Sequence, residues 1–519
     1  MRQRFSLLGT VALALLAGAP CAAQTSGRFR FDQKPGAYSV GLRVVQQYDL
    51  SRTWGPSIDD LGKPIPGEHE RPLQTLIWYP TTRSAGPVMT IADYVKLLDT
   101  ETSFDHPHLR ADWQDWVTGL HASMQDPLWS VRNGPAVPVR YPVVIYAPSF
   151  GSMAWENVDL CEFLASHGYV VLASGALGTN ARPMTSDLAG IDAQARDISF
   201  LIGYAEGLGD TDSSAVAVVG FSWGGIANLF AAARDSRIDA LVALDGSMRY
   251  YPGLIKDAGD VHPDRMTIPL LFFTEGEMTI EDLDGELNSP ANHGPSPLNE
   301  WTHGDLVMVH MMGMVHTEFS SIYQRNENVW ANFKEAQKAD YPRADGIPGY
   351  GWMARYTLAF LNGYLKHDAQ SMAWLKKTPA ENGAPPHFFY TSYRAATGLP
   401  ATLEAFRAEV GREGFDHIDD VYAAFHKNTP DFKLLEENVN TWGYELLMDG
   451  HLPQAIAVLK LNTKLYPGFG NTYDSLGDAY AKAEEKDLAI DSYKKAVATH
   501  YPQADQSQQK LNKLVKEQR

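Results

Sequence analysis

The chain is poor in cysteine, with two among 519 residues, Cys21 and Cys161. That excludes a disulfide-stapled scaffold and a cysteine-rich zinc site. Basic residues are outnumbered, 44 Lys and Arg against 62 Asp and Glu, for a formal net charge of −18. Contacts to nucleic-acid phosphates and docking on anionic lipid both need clustered Lys and Arg, so neither partner is expected. Beyond the first 23 residues no run is long and apolar enough to span a bilayer, which takes about 20 residues. What is present is an ordinary globular composition, 44% hydrophobic and 20% charged. A disordered, collagen-like or coiled-coil chain does not have it.

Residues 1–23 read as a removable leader. Arg2 and Arg4 precede a short apolar run from Phe5 to Ala17, and Cys21 and Ala23 stand at −3 and −1 of a cut before Gln24. This is the layout of a secretory signal peptide. Gly18 stands where a lipoprotein signal would want a Leu-like residue. Cleavage after Ala23 implies a secreted or periplasmic protein of 496 residues with net charge −20 and one cysteine, Cys161.

The remaining chain divides by pattern. Gly36 to Thr82 alternates like a β meander, and residues 88–134 read as a Trp-rich helical insertion. Apolar runs then alternate with amphipathic stretches: PVVIYA, YVVLA, AVAVV, ALVAL and IPLLFF. Continuous apolar strands separated by helices predict an α/β fold, with a mostly parallel sheet and helices on both faces. Residues 276–305 carry no clear element and read as a long functional loop. The α/β domain is expected over residues 27–377, with a Pro/Gly-containing linker at 378–398.

Residues 399–519 read as all helical. Gly443 and Gly477, Ala455 and Ala489, and Leu459 and Tyr493 are each 34 apart. This resembles two tetratricopeptide repeats, about 436–469 and 470–503, in which small residues allow close helix contact. Three repeats are usually needed for stability, so the helices of 400–428 or the α/β domain must help bury their faces.

The sharpest local pattern is Gly220-Phe221-Ser222-Trp223-Gly224, set between a predicted buried strand and a predicted helix. That context defines a nucleophile elbow, in which a strained turn lifts the Ser222 hydroxyl above the sheet edge and small flanking residues avoid clashes. Donors for a developing oxyanion are expected from the backbone N–H of Trp223 and, in the loop Pro148-Ser149-Phe150-Gly151-Ser152, of Phe150. A base should follow in the chain. His262, His293, His303, His310 and His316 are available, and His316 lies on a loop just after a β-like run, with His310 inside that run as runner-up. For the acid, Asp245 ends one strand and Glu275 and Glu277 end the next, and spacing alone does not choose among them.

Together, PGAYSVGLRV, LQTLIWYPT, PVVIYAPSFGS, LASHGYVV, VVGFSWGG, ALVALDGSM, IPLLFFTEGE and MVHTEFSS resemble the platelet-activating-factor acetylhydrolases, serine hydrolases of the α/β-hydrolase fold. The resemblance implies Asp245 as the acid, because in that family it follows the strand after the nucleophile helix. His316-Thr317-Glu318-Phe319 matches the family's stretch around the base. Pro148-Ser149 stands where a His is usual, a departure that bears on the pocket wall. The likeness extends to dienelactone hydrolases, which use Cys where this chain has Ser222. It implies hydrolysis of small-molecule or lipid esters through an acyl-enzyme, without metal or organic cofactor. Other classes stay open at this point: an inert hydrolase-fold scaffold that binds a protein or peptide, or self-associates, through its repeats, or an acyltransferase.

Overall fold

The computed structural model describes residues 28–56, 58, 61–65, 70–82, 86–105, 107, 109, 111–275, 296–332, 345–430 and 432–517. The leader 1–23, His293 and Glu277 lie outside them. These residues form two compact units, the first drawn from Met1–Val261, Pro269–Ser296 and Val307–Tyr393, the second from His262–Ile268, Pro297–Leu306 and Arg394–Arg519.

The apolar runs of the first unit become strands β1 (Ser39–Thr53), β2 (Glu70–Thr81), β3 (Val88–Thr90), β4 (Pro127–Arg132), β5 (Tyr141–Ala147), β6 (Val170–Ser174), β7 (Thr211–Phe221), β8 (Ala240–Leu244), β9 (Leu270–Glu275), β10 (Leu306–Met311) and β11 (Tyr390–Arg394). They make one sheet in the order β11-β10-β9-β8-β7-β5-β6-β2-β1-β4-β3. The pairs β6–β5, β5–β7, β7–β8 and β8–β9 are parallel, whereas β1–β2 and β2–β6 are antiparallel. Every residue of β6 and β8 is buried, as strands covered on both faces require.

Right-handed crossovers decide which face each helix takes. From β5 to β6 the chain steps one way along the sheet; from β6 to β7 and from β7 to β8 it steps the other way. Val158–Ser166 therefore lies on one face, and Leu188–Glu206 and Trp223–Arg234 share the other, where they pack on each other. Gly346–Leu365 packs on Val158–Ser166 and on β7, β8 and β9. The reversal of direction falls between β5 and β7. Loops leaving the carboxyl ends of two such strands diverge and open a crevice, the usual place for a site in an open α/β sheet.

Two stretches take more strand than their composition suggests. Within residues 88–134 the helices Ile91–Val95 and Ala111–Thr118 are short, and β3 and β4 pair at the sheet edge, β4 running parallel to β1. Within residues 378–398, Tyr390–Arg394 is the edge strand β11.

The second unit is helical: Leu403–Glu413, Ile418–Asn428, Glu436–Met448, Leu452–Leu465, Gly470–Lys482, Lys486–Ala498 and Ala504–Glu517. From Glu436 onward each helix packs on the next. A Cβ on Gly443 would stand 2.5 Å from Leu459 Cδ2, and one on Gly477 would stand 2.6 Å from Tyr493 Cε1. The residues repeated at a 34-residue spacing are thus contact pairs between neighbouring helices. Phe406, Val410, Ile418 and Val421 share one apolar cluster with Val439, Trp442, Val458 and Leu461, so the helices before Glu436 bury the face of the first pair. Residues 297–306 join this unit through Arg394 Nη2 on Trp301 O (2.9 Å) and Thr397 N on Thr302 O (2.8 Å).

Candidate active site

Ser222 sits between the last residue of β7 and the first of helix Trp223–Arg234, with φ 52° and ψ −118°. A non-glycine residue there is strained, and it persists only where the surroundings over-determine it. Here the Ser222 N–H donates to Leu244 O (3.1 Å), and its carbonyl accepts from Gly225 N and Ser247 N, both 2.8 Å. The flanking glycines are demanded by space. A Cβ on Gly224 would overlap the Ala147 carbonyl of β5, and one on Gly220 would overlap the carbonyl of Gly224. Because these obstacles are backbone, Gly224→Ala is expected to lower stability by about 1–3 kcal/mol. A urea unfolding midpoint equal to that of the wild type would contradict the overlap.

His316 opens a 3₁₀ turn, His316–Phe319, a few residues after β10. Its Nε2 is 2.9 Å from Ser222 Oγ, and its Nδ1 is 2.5 Å from Asp245 Oδ2. The imidazole packs on the Phe221 ring, centroid to centroid 5.0 Å. Asp245 follows β8, is fully buried, and donates its own N–H to Phe273 O of β9 (3.0 Å). Burial pulls the His316 pKa down, but the Asp245 hydrogen bond and charge, with the charges of Glu275 and Glu156, outweigh it and raise the pKa above the ordinary 6.5.

Glu275, the other described candidate for the acid, meets the same histidine elsewhere. Its Oε2 accepts from the His316 main-chain N–H at 2.5 Å, not from the imidazole. Burial, then the neighbouring Asp245 charge, push its carboxyl up to about 7. Of the other histidines, His310 is buried in β10 with its ring stacked on Tyr390 at 4.2 Å, and His262 and His303 belong to the second unit.

The loop after β5 is a tight turn in which Ser152 N donates to Ser149 O (3.0 Å). Ser149 N donates to Glu156 Oε2 (2.8 Å), Gly151 N points at Met184 Sδ (3.1 Å), and Pro148 has no N–H. That leaves Phe150 N–H as the one amide of the turn without a partner among the described residues; Trp223 N–H, at the start of its helix, likewise has none there. The Phe150 side chain is 46% exposed and meets Trp223 edge-on, and Trp223 meets Tyr251 edge-on, so an aromatic row lies beside Ser222.

Two supports of this loop have no signature in the sequence. Arg182, paired with Glu101 (Nε to Oε2, 2.5 Å), donates to Gly151 O (2.8 Å) and Ala176 O (3.1 Å). Glu156, wholly buried, also accepts the Ser149 and Tyr146 hydroxyls, while its main-chain carbonyl accepts from Ser320 Oγ (3.0 Å) and Ile322 N (3.3 Å) beyond the His316 turn. Burial raises the carboxyl pKa of Glu156.

Residues 130–277 match the model of the Dienelactone hydrolase family. The matched stretch contains Phe150, Ser222, Trp223, Asp245 and Glu275 and ends before His316. No curated protein matches the chain. Among solved structures, a ferulic acid esterase from Streptomyces cinnamoneus is similar at 18% identity and a TM-score of 0.45, over 65% of this chain and 93% of its own. The mostly parallel sheet, its helices on both faces and the matched segment make the first unit an α/β fold of the hydrolase type. Among the described residues no helix is long and apolar enough to cross a membrane.

Proposed function

We propose that the chain is a serine esterase that cleaves small-molecule or lipid esters through an acyl-enzyme. One observation carries this reading: a strained Ser222 Oγ stands 2.9 Å from an imidazole whose far nitrogen is held by the buried Asp245. Neutral His316 takes the Ser222 proton at Nε2 as Oγ attacks the ester carbonyl, and Asp245 stabilises the resulting imidazolium. The N–H groups of Trp223 and Phe150 receive the oxyanion. His316 returns the proton to the leaving alkoxide, and a water, activated in turn by His316, releases the acid. The exposed ring of Phe150 lines the approach. No step calls for a metal or organic cofactor.

Secretion or export to the periplasm, with cleavage after Ala23, belongs to the same proposal. So does a tetratricopeptide-like role for residues 436–503, supported by the equivalent pairs Gly443–Leu459 and Gly477–Tyr493, each closing one helix pair by packing within the unit.

The test is a fluorophosphonate label together with a panel of p-nitrophenyl esters of increasing acyl length. Labelling and turnover are expected; their absence would favour an inert scaffold, and ester products formed with added alcohols would favour acyl transfer. The base works only when neutral. Because the His316 pKa is raised, kcat/KM is expected to climb with pH through a limb centred above 6.5. A limb centred well below 6.5 would contradict the placement of His316 between two carboxylates.

A further inference from the structure

We propose that Glu275 is a positioning residue for the base, holding the backbone of His316 and the carboxylate of Asp245 from a single strand end. The inference rests on the reading of His316 as the base. Three residues close a small ring of bonds. Asp245 Oδ2 holds the imidazole Nδ1 at 2.5 Å, Glu275 Oε2 holds the His316 main-chain N–H at 2.5 Å, and the Glu275 main-chain N–H reaches Asp245 Oδ1 at 3.3 Å. Two carboxylates therefore grip one histidine, one by its ring and the other by its backbone.

The loop needs such a grip. His316 begins a single turn of 3₁₀ helix whose flanks are held by Val315 N on Glu318 Oε2 (2.9 Å) and Asn157 Nδ2 on Phe319 O (3.0 Å), and whose first main-chain N–H, that of His316, is held by Glu275. β8 and β9 are rigid and parallel neighbours, paired through Leu244 and Phe273. Anchors on both strand ends fix the imidazole in translation as well as in rotation. Asp245 at one ring nitrogen and the Phe221 ring packed on the imidazole set its orientation, and Glu275 adds a hold on the backbone from which the ring hangs. A displacement of about 1 Å from the reacting geometry can cost about 100-fold in rate.

Glu275 also contributes charge. The groups facing it are Asp245, His316 and Arg249, which lies in the turn Ser247–Tyr250. Those facing His316 are Asp245, Glu275 and Glu156. An ionised Glu275 stabilises the imidazolium, so its removal should lower the His316 pKa and move the acid limb of the rate profile to lower pH.

The experiment compares Glu275→Ala and Glu275→Gln in the full chain by pH-dependent steady-state kinetics, with thermal unfolding to show that each variant folds. E275A is expected to lose about 10–100-fold in kcat with KM within about twofold. E275Q, which keeps an acceptor oxygen of the same reach, should recover most of that loss. In both variants the acid limb should move down by about half a pH unit or more. Should E275A misfold, the limb and kcat of E275Q decide alone. Wild-type kcat in E275A, or an unmoved limb in E275Q, would overturn the positioning role. So would an E275Q defect as deep as that of Asp245→Asn, which would make Glu275 the acid itself. Failure of fluorophosphonate to label the wild type at Ser222 would overturn the underlying esterase reading, and the inference with it.

Discussion

Ser222→Ala lowers ester turnover by about 10⁴-fold or more and abolishes fluorophosphonate labelling, with the folded state intact. The size follows from the role. In the proposed reaction Oγ forms the acyl bond, and without it the remaining donors act on water alone. The residual rate then comes from the oxyanion N–H groups and from binding. Alanine keeps the Cβ, so the strained backbone at φ 52° is unchanged and the N–H bond to Leu244 O survives. Stability should therefore stay within about 0.5 kcal/mol of the wild type, as for substitutions that remove no packing. Full p-nitrophenyl-acetate turnover in this variant would sink the esterase reading, and loss of activity accompanied by unfolding would be no support for it.

Asp245→Asn is the second large effect, expected at about 10⁴-fold in kcat. Asp245 is wholly buried, and its Oδ2 accepts from the ring Nδ1–H. That keeps the lone pair on Nε2, facing Ser222 Oγ. An asparagine NH₂ in the same place donates to Nδ1, so the proton moves to Nε2 and the ring can no longer accept from serine. The shape is nearly conserved, which separates this result from a collapsed site. Single-turnover kinetics would place the loss in acyl transfer, with substrate binding little changed. A D245N enzyme within tenfold of the wild type would remove Asp245 from the acid role and turn attention to Glu275.

Much of this was legible in the residue order. The buried β5 to β9 announce themselves as unbroken apolar runs, because strands covered on both faces leave no room for polar side chains. Gly220-x-Ser222-x-Gly224 is readable because the turn tolerates little else at those positions, and the overlaps with the carbonyls of Ala147 and Gly224 show why. His316 stood out by its place after an apolar run. The 34-residue spacings marked true contacts, since a glycine facing a large side chain leaves a periodic trace.

What stayed illegible depends on contacts between distant segments. Neither Arg182, which meets Glu101 and the turn after β5, nor Glu156, which joins that turn to the segment after His316, has a spacing that betrays it. The same holds for Gly225 and Gly246, where a Cβ on either would crowd the other chain segment. The strands at β3, β4 and β11 are hidden for a related reason: at and next to the sheet edges they are short and half exposed, so their pattern does not stand out from a loop.

The residue order by itself determined the mostly parallel sheet and singled out Ser222 as the proposed nucleophile, with the candidate acids and base following it, because each depends on local patterning along one segment. It could not separate Asp245 from Glu275, since parallel neighbouring strands deliver both carboxylates to the same sheet edge. Where each carboxylate goes is decided by the tertiary structure: there Asp245 reaches the imidazole nitrogen while Glu275 reaches the backbone N–H of the same residue, which is why Asp245 is the one proposed as the acid. A difference of a few ångströms across two strand ends is set by packing between segments about 70 residues apart, and no pattern within either segment encodes it.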